Sequence, residues 1–142
     1  MHGLEPDAMV DDPAVRRLFA DLWKSSPADK EVGAWVILVT APSPSWTLVK
    51  WPPGADLEVA ASRCMRSAKA IVHIHPVNFT AKYPLQGAEP STSGGSTGKG
   101  NWGAAVRCGV PKYVLSVSAV WKVQPNPDRA DKKQVAAAGW ER

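Results

Sequence analysis

His73 and His75 stand two apart in the run AIVHIHP, and apart from His2 they are the chain's only histidines. Residues two apart on an extended strand leave the same face. Both imidazoles therefore converge where Pro76 ends the run. Two neutral imidazoles presented together can bind one divalent ion, zinc above all. A hydrolytic zinc site also needs a third protein ligand, an open position for water and a base to take that water's proton. Glu31 leads into the apolar run VGAWVILVT. A carboxylate at the head of a central strand can lie beside the end of a neighbouring strand, within proton-transfer reach of such a water. Each residue also has a plain structural reading: one histidine hydrogen-bonded in a core, the other in solvent, and Glu31 a solvated strand-end charge. A bare H-x-H does not separate the two.

The elements that must position these residues can be read along the chain. Residues 1–11 are acidic and irregular, a flexible N-terminus. Asp12 followed by Pro13 is a helix opening, a capping side chain before a proline at the first helical position. Val15, Leu18, Phe19, Leu22 and Trp23 then fall at 0, 3, 4, 7 and 8, one helical face. Val32 to Thr40 is a strand covered on both sides, turned by APSPS into Trp46 to Trp51. Asp56 can cap a second helix whose Leu57, Ala60, Ala61, Cys64, Met65 and Ala68 form its apolar face, with Arg63, Arg66 and Lys69 facing away. Ala70 to His75 is the third strand. A long loop over 77–100 follows, Gly- and Ser-rich in its second half, of the kind that often serves function. Asn101 to Cys108 is a short helix with Asn101 as its cap and Gly109 as its stop, and Lys112 to Val117 and Val120 to Val123 are a final strand pair. Residues 125–142 read as a polar tail, leaving a domain over 12–124. The order α-β-β-α-β-loop-α-β-β predicts an α/β (α+β) chain with a single mixed sheet flanked by helices, and excludes all-α and all-β classes.

Composition narrows the function classes. A length of 142 residues fits one domain, and 44% hydrophobic residues with seven tryptophans suffice for a core. The net charge is +4 and the pI about 9.2. Lys and Arg are scattered rather than blocked, which suits solubility better than a nucleic-acid stripe. Cys64 and Cys108 make neither a C-x-x-C pair nor a disulfide framework. They fit buried, reduced thiols, with one disulfide between them as the alternative. The N-terminus carries no signal-peptide pattern, and no apolar stretch nears the ~20 residues that span a membrane. The expectation is a cytoplasmic chain, or an effector exported without a signal peptide.

The ordered set of Glu31 in EVGAWVI, HIHP at His73 to Pro76, NWGAA at Asn101 to Ala105 and GVPKYVLS at Gly109 to Ser116 followed by VWKV resembles the JAB/MPN (JAMM) metalloprotease superfamily. The resemblance is strongest to bacterial JAB-like domains of the toxin and Rhs-associated type, and it spans about residues 15–123. It implies a JAB/MPN-like, cytidine-deaminase-like three-layer fold. It implies that His73 and His75 bind zinc, that Glu31 activates the zinc-held water and passes its proton to the leaving amine, and that a peptide or isopeptide bond in a protein or peptide substrate is cleaved. The family's third ligand is an Asp, and Asn101 stands at that place here. An amide oxygen is a weaker, neutral donor, so the place falls to Asn101, to another group such as Glu89, or to water, or else the site is metal-poor. The family's oxyanion serine falls at Gly98, with Ser96 nearby as the candidate. A catalytically degenerate binding or scaffold module of the same fold is the alternative to the zinc hydrolase.

Other motifs carry less. In GGSTGKG the P-loop pattern ends in Gly100 instead of Ser or Thr, and no strand directly precedes it. A zinc deaminase needs H-x-E and P-C-x-x-C, both missing. Ser116 and Ser118 have no catalytic histidine motif beside them. Neither nucleic acid nor membrane is the expected partner; a nucleic-acid-binding domain, the third class, predicts steeply salt-dependent affinity.

Overall fold

A computed structural model describes residues 7–26, 32–52, 64–74, 100–116 and 119–137. The N-terminal segment contributes α1 (Ala8–Asp11) and α2 (Pro13–Ser25). Asp12 opens α2 as its sequence suggests: its carboxylate accepts the Ala14 N–H at 2.8 Å, and Pro13 takes the first helical position. Val15, Phe19 and Leu22 are buried along one side of α2, with Leu18 and Trp23 half-buried beside them. Asp7 caps α1, so residues 7–11 are ordered where an irregular segment was expected.

Six strands form one mixed sheet: β1 (Gly33–Val39), β2 (Ser45–Lys50), β3 (Ala68–Ile74), β4 (Lys112–Leu115), β5 (Ala119–Val123) and β6 (Lys132–Ala137). Their order across the sheet is β2-β1-β3-β4-β5-β6. β3 and β4 are parallel, and the other neighbours are antiparallel. A parallel neighbour demands a crossover, and the described part of that crossover is α3 (Asn101–Cys108). Gly109 ends α3 at φ 67°, the left-handed conformation glycine adopts without a Cβ penalty.

The alternation of the strands builds two apolar layers. Ala34, Val36, Ala70, Val72, Ile74, Tyr113, Leu115 and Val120 face α1 and α2 in the larger cluster. Trp35, Ile71 and Ala68 face Ala104 of α3 in the smaller one, with Trp51, Met65 and Cys108 around them. The chain is thus a mixed α/β protein with helices on both faces of one sheet. Among the described residues no helix is long and apolar enough to cross a membrane.

Three further expectations change. The helix expected from Asp56 falls mostly on residues outside the described ones, but its expected last turn does not form: Arg66 and Ser67 are a turn, and Ala68 already begins β3. Lys69 is exposed on that strand between two buried alanines, and its i, i+3 relation to Arg66 mimicked a helical face. The polar stretch after Pro125 contains β6, where Val135 and Ala136 are buried and the lysines suit a strand at the sheet edge. Finally, Cys64 and Cys108 are not buried reduced thiols. They form a disulfide with α-carbons 5.2 Å apart, and Cys64 is exposed.

Candidate functional site

The centre of interest is the β1–β3 ladder. Gly33 pairs with His73, Ala34 with Val72 and Trp35 with Ile71 in antiparallel register. The Ile74 N–H extends the ladder by donating to the Val32 carbonyl at 2.8 Å. The chain therefore enters β1 and leaves β3 at the same end of the two strands. Glu31 and His75, which adjoin Val32 and Ile74 in sequence, lie outside the described residues. So does Ser96.

His73 points to the α3 face, because it shares parity on β3 with Ile71 and lies across the strands from Val114 and, beyond it, Trp121. It is 1% exposed. The indole of Trp51 stacks on its ring, centroids 6.0 Å apart and planes 20° from parallel. Trp51 follows β2 directly, and its N–H donates to the Gly33 carbonyl at 3.0 Å. A Cβ on Gly33 would come within 2.3 Å of the indole's six-membered ring. Gly33 is bare because the indole occupies the place a side chain would take. Trp35 also meets Trp51, in a tilted pair at 6.3 Å.

Asn101 is the first residue of α3, with Gly100 as its N-cap. The expected capping role is not what its side chain does, since no side chain caps this helix. Instead Asn101 is buried, and with Ala104, Ala105 and Cys108 it follows the i, i+3, i+4, i+7 stripe that turns toward the sheet. Two anchors hold α3 there: the disulfide ties its last residue to the segment entering β3, and the Trp102 indole N–H donates to the Asn126 carbonyl at 2.7 Å. His73 and Asn101 thus belong to one layer. Among the described residues there is no group of three or more His, Cys, Asp or Glu that could hold a metal ion.

Sequence reasoning missed two features of this face. Lys112 is wholly buried, paired in register with Ile71 and Val123. Its signal was its parity in PKYVLS: in a strand covered on both sides, the residue alternating with Tyr113 is inside as well. Trp51 was read as a strand end, and nothing in the sequence marks it as the partner of His73.

The opposite face holds a second polar group. The Asp7 carboxylate accepts the Lys122 ammonium at 2.7 Å, the Tyr113 hydroxyl at 2.9 Å and the Val10 N–H at 3.0 Å. Burial alone would raise the carboxyl's pKa; the bonds to Lys122, Val10 and Tyr113 outweigh it and hold the group below its ordinary value. Burial, and then the neighbouring Asp7 charge, push the Tyr113 phenol well above its usual range.

Comparison with known proteins finds no family model, no curated protein and no solved structure that matches this chain.

Proposed function

We propose that the chain is a zinc-dependent hydrolase of the JAB/MPN type, cleaving a peptide or isopeptide bond in a protein or peptide substrate, as a bacterial toxin or effector domain. The observation that carries this reading is the antiparallel pairing of Gly33 with His73. It brings the start of the strand that Glu31 leads into beside the end of the strand that carries the H-x-H, which is the juxtaposition a base and a ligand pair require. An imidazole on β3 and an amide oxygen on the inward stripe of α3 are donor types that zinc and related divalent ions accept. His75 is the sequence's second nitrogen donor.

When bound, zinc supplies the Lewis acidity that lets water attack a carbonyl at neutral pH. His73 and His75 would hold the ion, with Asn101 as the neutral third donor. Glu31 takes the attacking water's proton and delivers it to the leaving nitrogen, so the amide ends as a carboxylate and an amine. Ser96 donates to the oxygen that gains charge during attack. The Cys64–Cys108 disulfide supports export to an oxidising compartment, since such bonds persist poorly against cytosolic reductants.

A second reading, a scaffold of the same fold without stable metal, is favoured by Asn101 itself, a buried amide where a carboxylate would bind more tightly. Metal analysis of the purified chain separates the two. The hydrolase reading expects stoichiometric zinc, lost in His73→Ala while the fold, checked by thermal melting, persists. Peptidase activity should then vanish in Glu31→Gln with zinc retained. A zinc-free native chain that gains metal in Asn101→Asp would falsify the hydrolase and leave the scaffold.

A further inference from the structure

We propose that Trp51 is the positioning residue for His73, and that Gly33 is the clearance it needs. The inference rests on His73 being a metal ligand, as in the reading above. A ligating imidazole must present one nitrogen along a fixed direction, and residues outside the first ring of ligands usually set that direction. Directly opposite His73 on β1 stands Gly33. In an antiparallel pair the opposing side chains stand about 5 Å apart, and a side chain at position 33 would take the place beside the imidazole that Trp51 fills. The chain leaves that place empty and fills it from the next strand segment. Trp51 reaches over Gly33, with ring atoms at 2.3 to 2.5 Å from where a Cβ would stand. Its indole lies against His73 nearly face to face.

The indole is itself fixed. Its backbone N–H is bonded to Gly33, Trp35 abuts it, and it is only 7% exposed. A flat, immobile surface beside the imidazole limits rotation about the ring's χ2 torsion, which is otherwise broad for histidine. A face-to-face stack occupies the ring's flat face and leaves its nitrogens at the rim. Gly33, Trp51 and His73 therefore act as a unit: a gap, a wedge and the ring the wedge orients.

The test measures zinc affinity of the full chain by chelator competition, thermal stability of the metal-free form, and the visible spectrum of the cobalt-substituted protein. Trp51→Leu should lower zinc affinity about tenfold or more, the range typical of removing support from a ligating histidine. The cobalt bands should shift, because the ligand geometry changes. Trp51→Phe keeps a flat ring in the gap and should restore most of the affinity. Gly33→Ala, which forces the indole off its seat, should follow Trp51→Leu. Leu22→Ala perturbs the apolar core on the opposite face of the sheet, away from Trp51 and His73, and should lower stability while leaving affinity and spectrum unchanged. The proposal is overturned if Trp51→Leu and Gly33→Ala lose stability but keep native affinity, or if Leu22→Ala weakens zinc as much. A native chain that binds no zinc sinks the hydrolase reading and this inference together. Native binding with unchanged affinity in the variants sinks this inference alone.

Discussion

The two faces of the sheet are covered by helices in the same general way, yet they handle polar groups differently. Under α1 and α2 the core is aliphatic and aromatic, and the buried carboxylate of Asp7 is surrounded by donors from Lys122, Tyr113 and Val10. Under α3 the layer holds His73, Asn101 and Lys112, all buried, among tryptophans. There the indole nitrogens of Trp51 and Trp121 are buried and, among the described residues, have no hydrogen-bond partner. A buried donor left unbonded costs roughly 1–3 kcal/mol. A fold optimised only for stability would have little reason to gather such groups on one side. The α1–α2 face surrounds its buried carboxylate with donors, and the α3 face is the one the proposed site would use.

The disulfide offers the largest perturbation of this contrast. It closes a loop spanning 44 positions of sequence, and within it lie β3, both candidate histidines and α3. On the chain-entropy account, a loop of that length is worth about 4 kcal/mol. Cys64→Ser/Cys108→Ser, or reduction by a dithiol, should lower the denaturant midpoint accordingly. Amide exchange should speed up more in α3 than in α2, because α3 loses the tether at its C-terminal end. Equal loss of protection in both helices would erase the proposed difference between the faces.

Asp7 tests the other side. Asp7→Ala removes the α1 cap and leaves the Lys122 ammonium and Tyr113 hydroxyl without their acceptor, at a cost of about 3 kcal/mol. The pH dependence follows from the direction of the shifts. The Asp7 carboxyl titrates lower in the folded chain than in the unfolded one. Its contribution is therefore present above the unfolded value near 4 and is lost as pH falls through the folded value. Tyr113 is raised, so its contribution is full below about 10 and fades as pH rises past it. Acid titration of stability, followed by chemical denaturation, should flatten in Asp7→Asn. An unchanged acid limb would show that carboxylates elsewhere govern it.

How much was legible depends on whether the signal was local. α2 was readable because its cap, its proline and its apolar stripe all lie within thirteen residues. β1 and β2 were readable from covered alternation and a proline-rich turn, and α3 from a helical stretch closed by Gly109. β6 was not, because its apolar content is three residues long and its strand character comes from pairing with β5. The burial of Lys112, the pairing of Cys64 with Cys108 and the stacking of Trp51 on His73 all depend on which strands become neighbours. Local pattern carries no record of that. The placement of His73 at a strand end was legible; what surrounds it was not.

The smallest expected effect separates two residues that look alike in sequence. Asp12 and Asn101 each stand at the start of a helix as a residue type favoured for capping. Only Asp12 does that work, accepting the Ala14 N–H at 2.8 Å and the Trp46 indole N–H at 3.1 Å. Asp12→Ala should therefore cost about 1 kcal/mol, the usual value of a lost N-cap. Asn101 caps nothing, and alanine is the better helix former by a few tenths of a kcal/mol. Were Asn101 only the first residue of a helix, Asn101→Ala would be neutral or slightly stabilising in the metal-free chain. A buried amide in a polar layer predicts instead a loss of stability, and one that grows in the presence of zinc if the amide oxygen is a ligand, because bound metal adds stability to the folded form alone. Paired melts of the two variants, with and without zinc, distinguish a cap from a site residue: the deficit of Asp12→Ala should stay constant, and that of Asn101→Ala should widen.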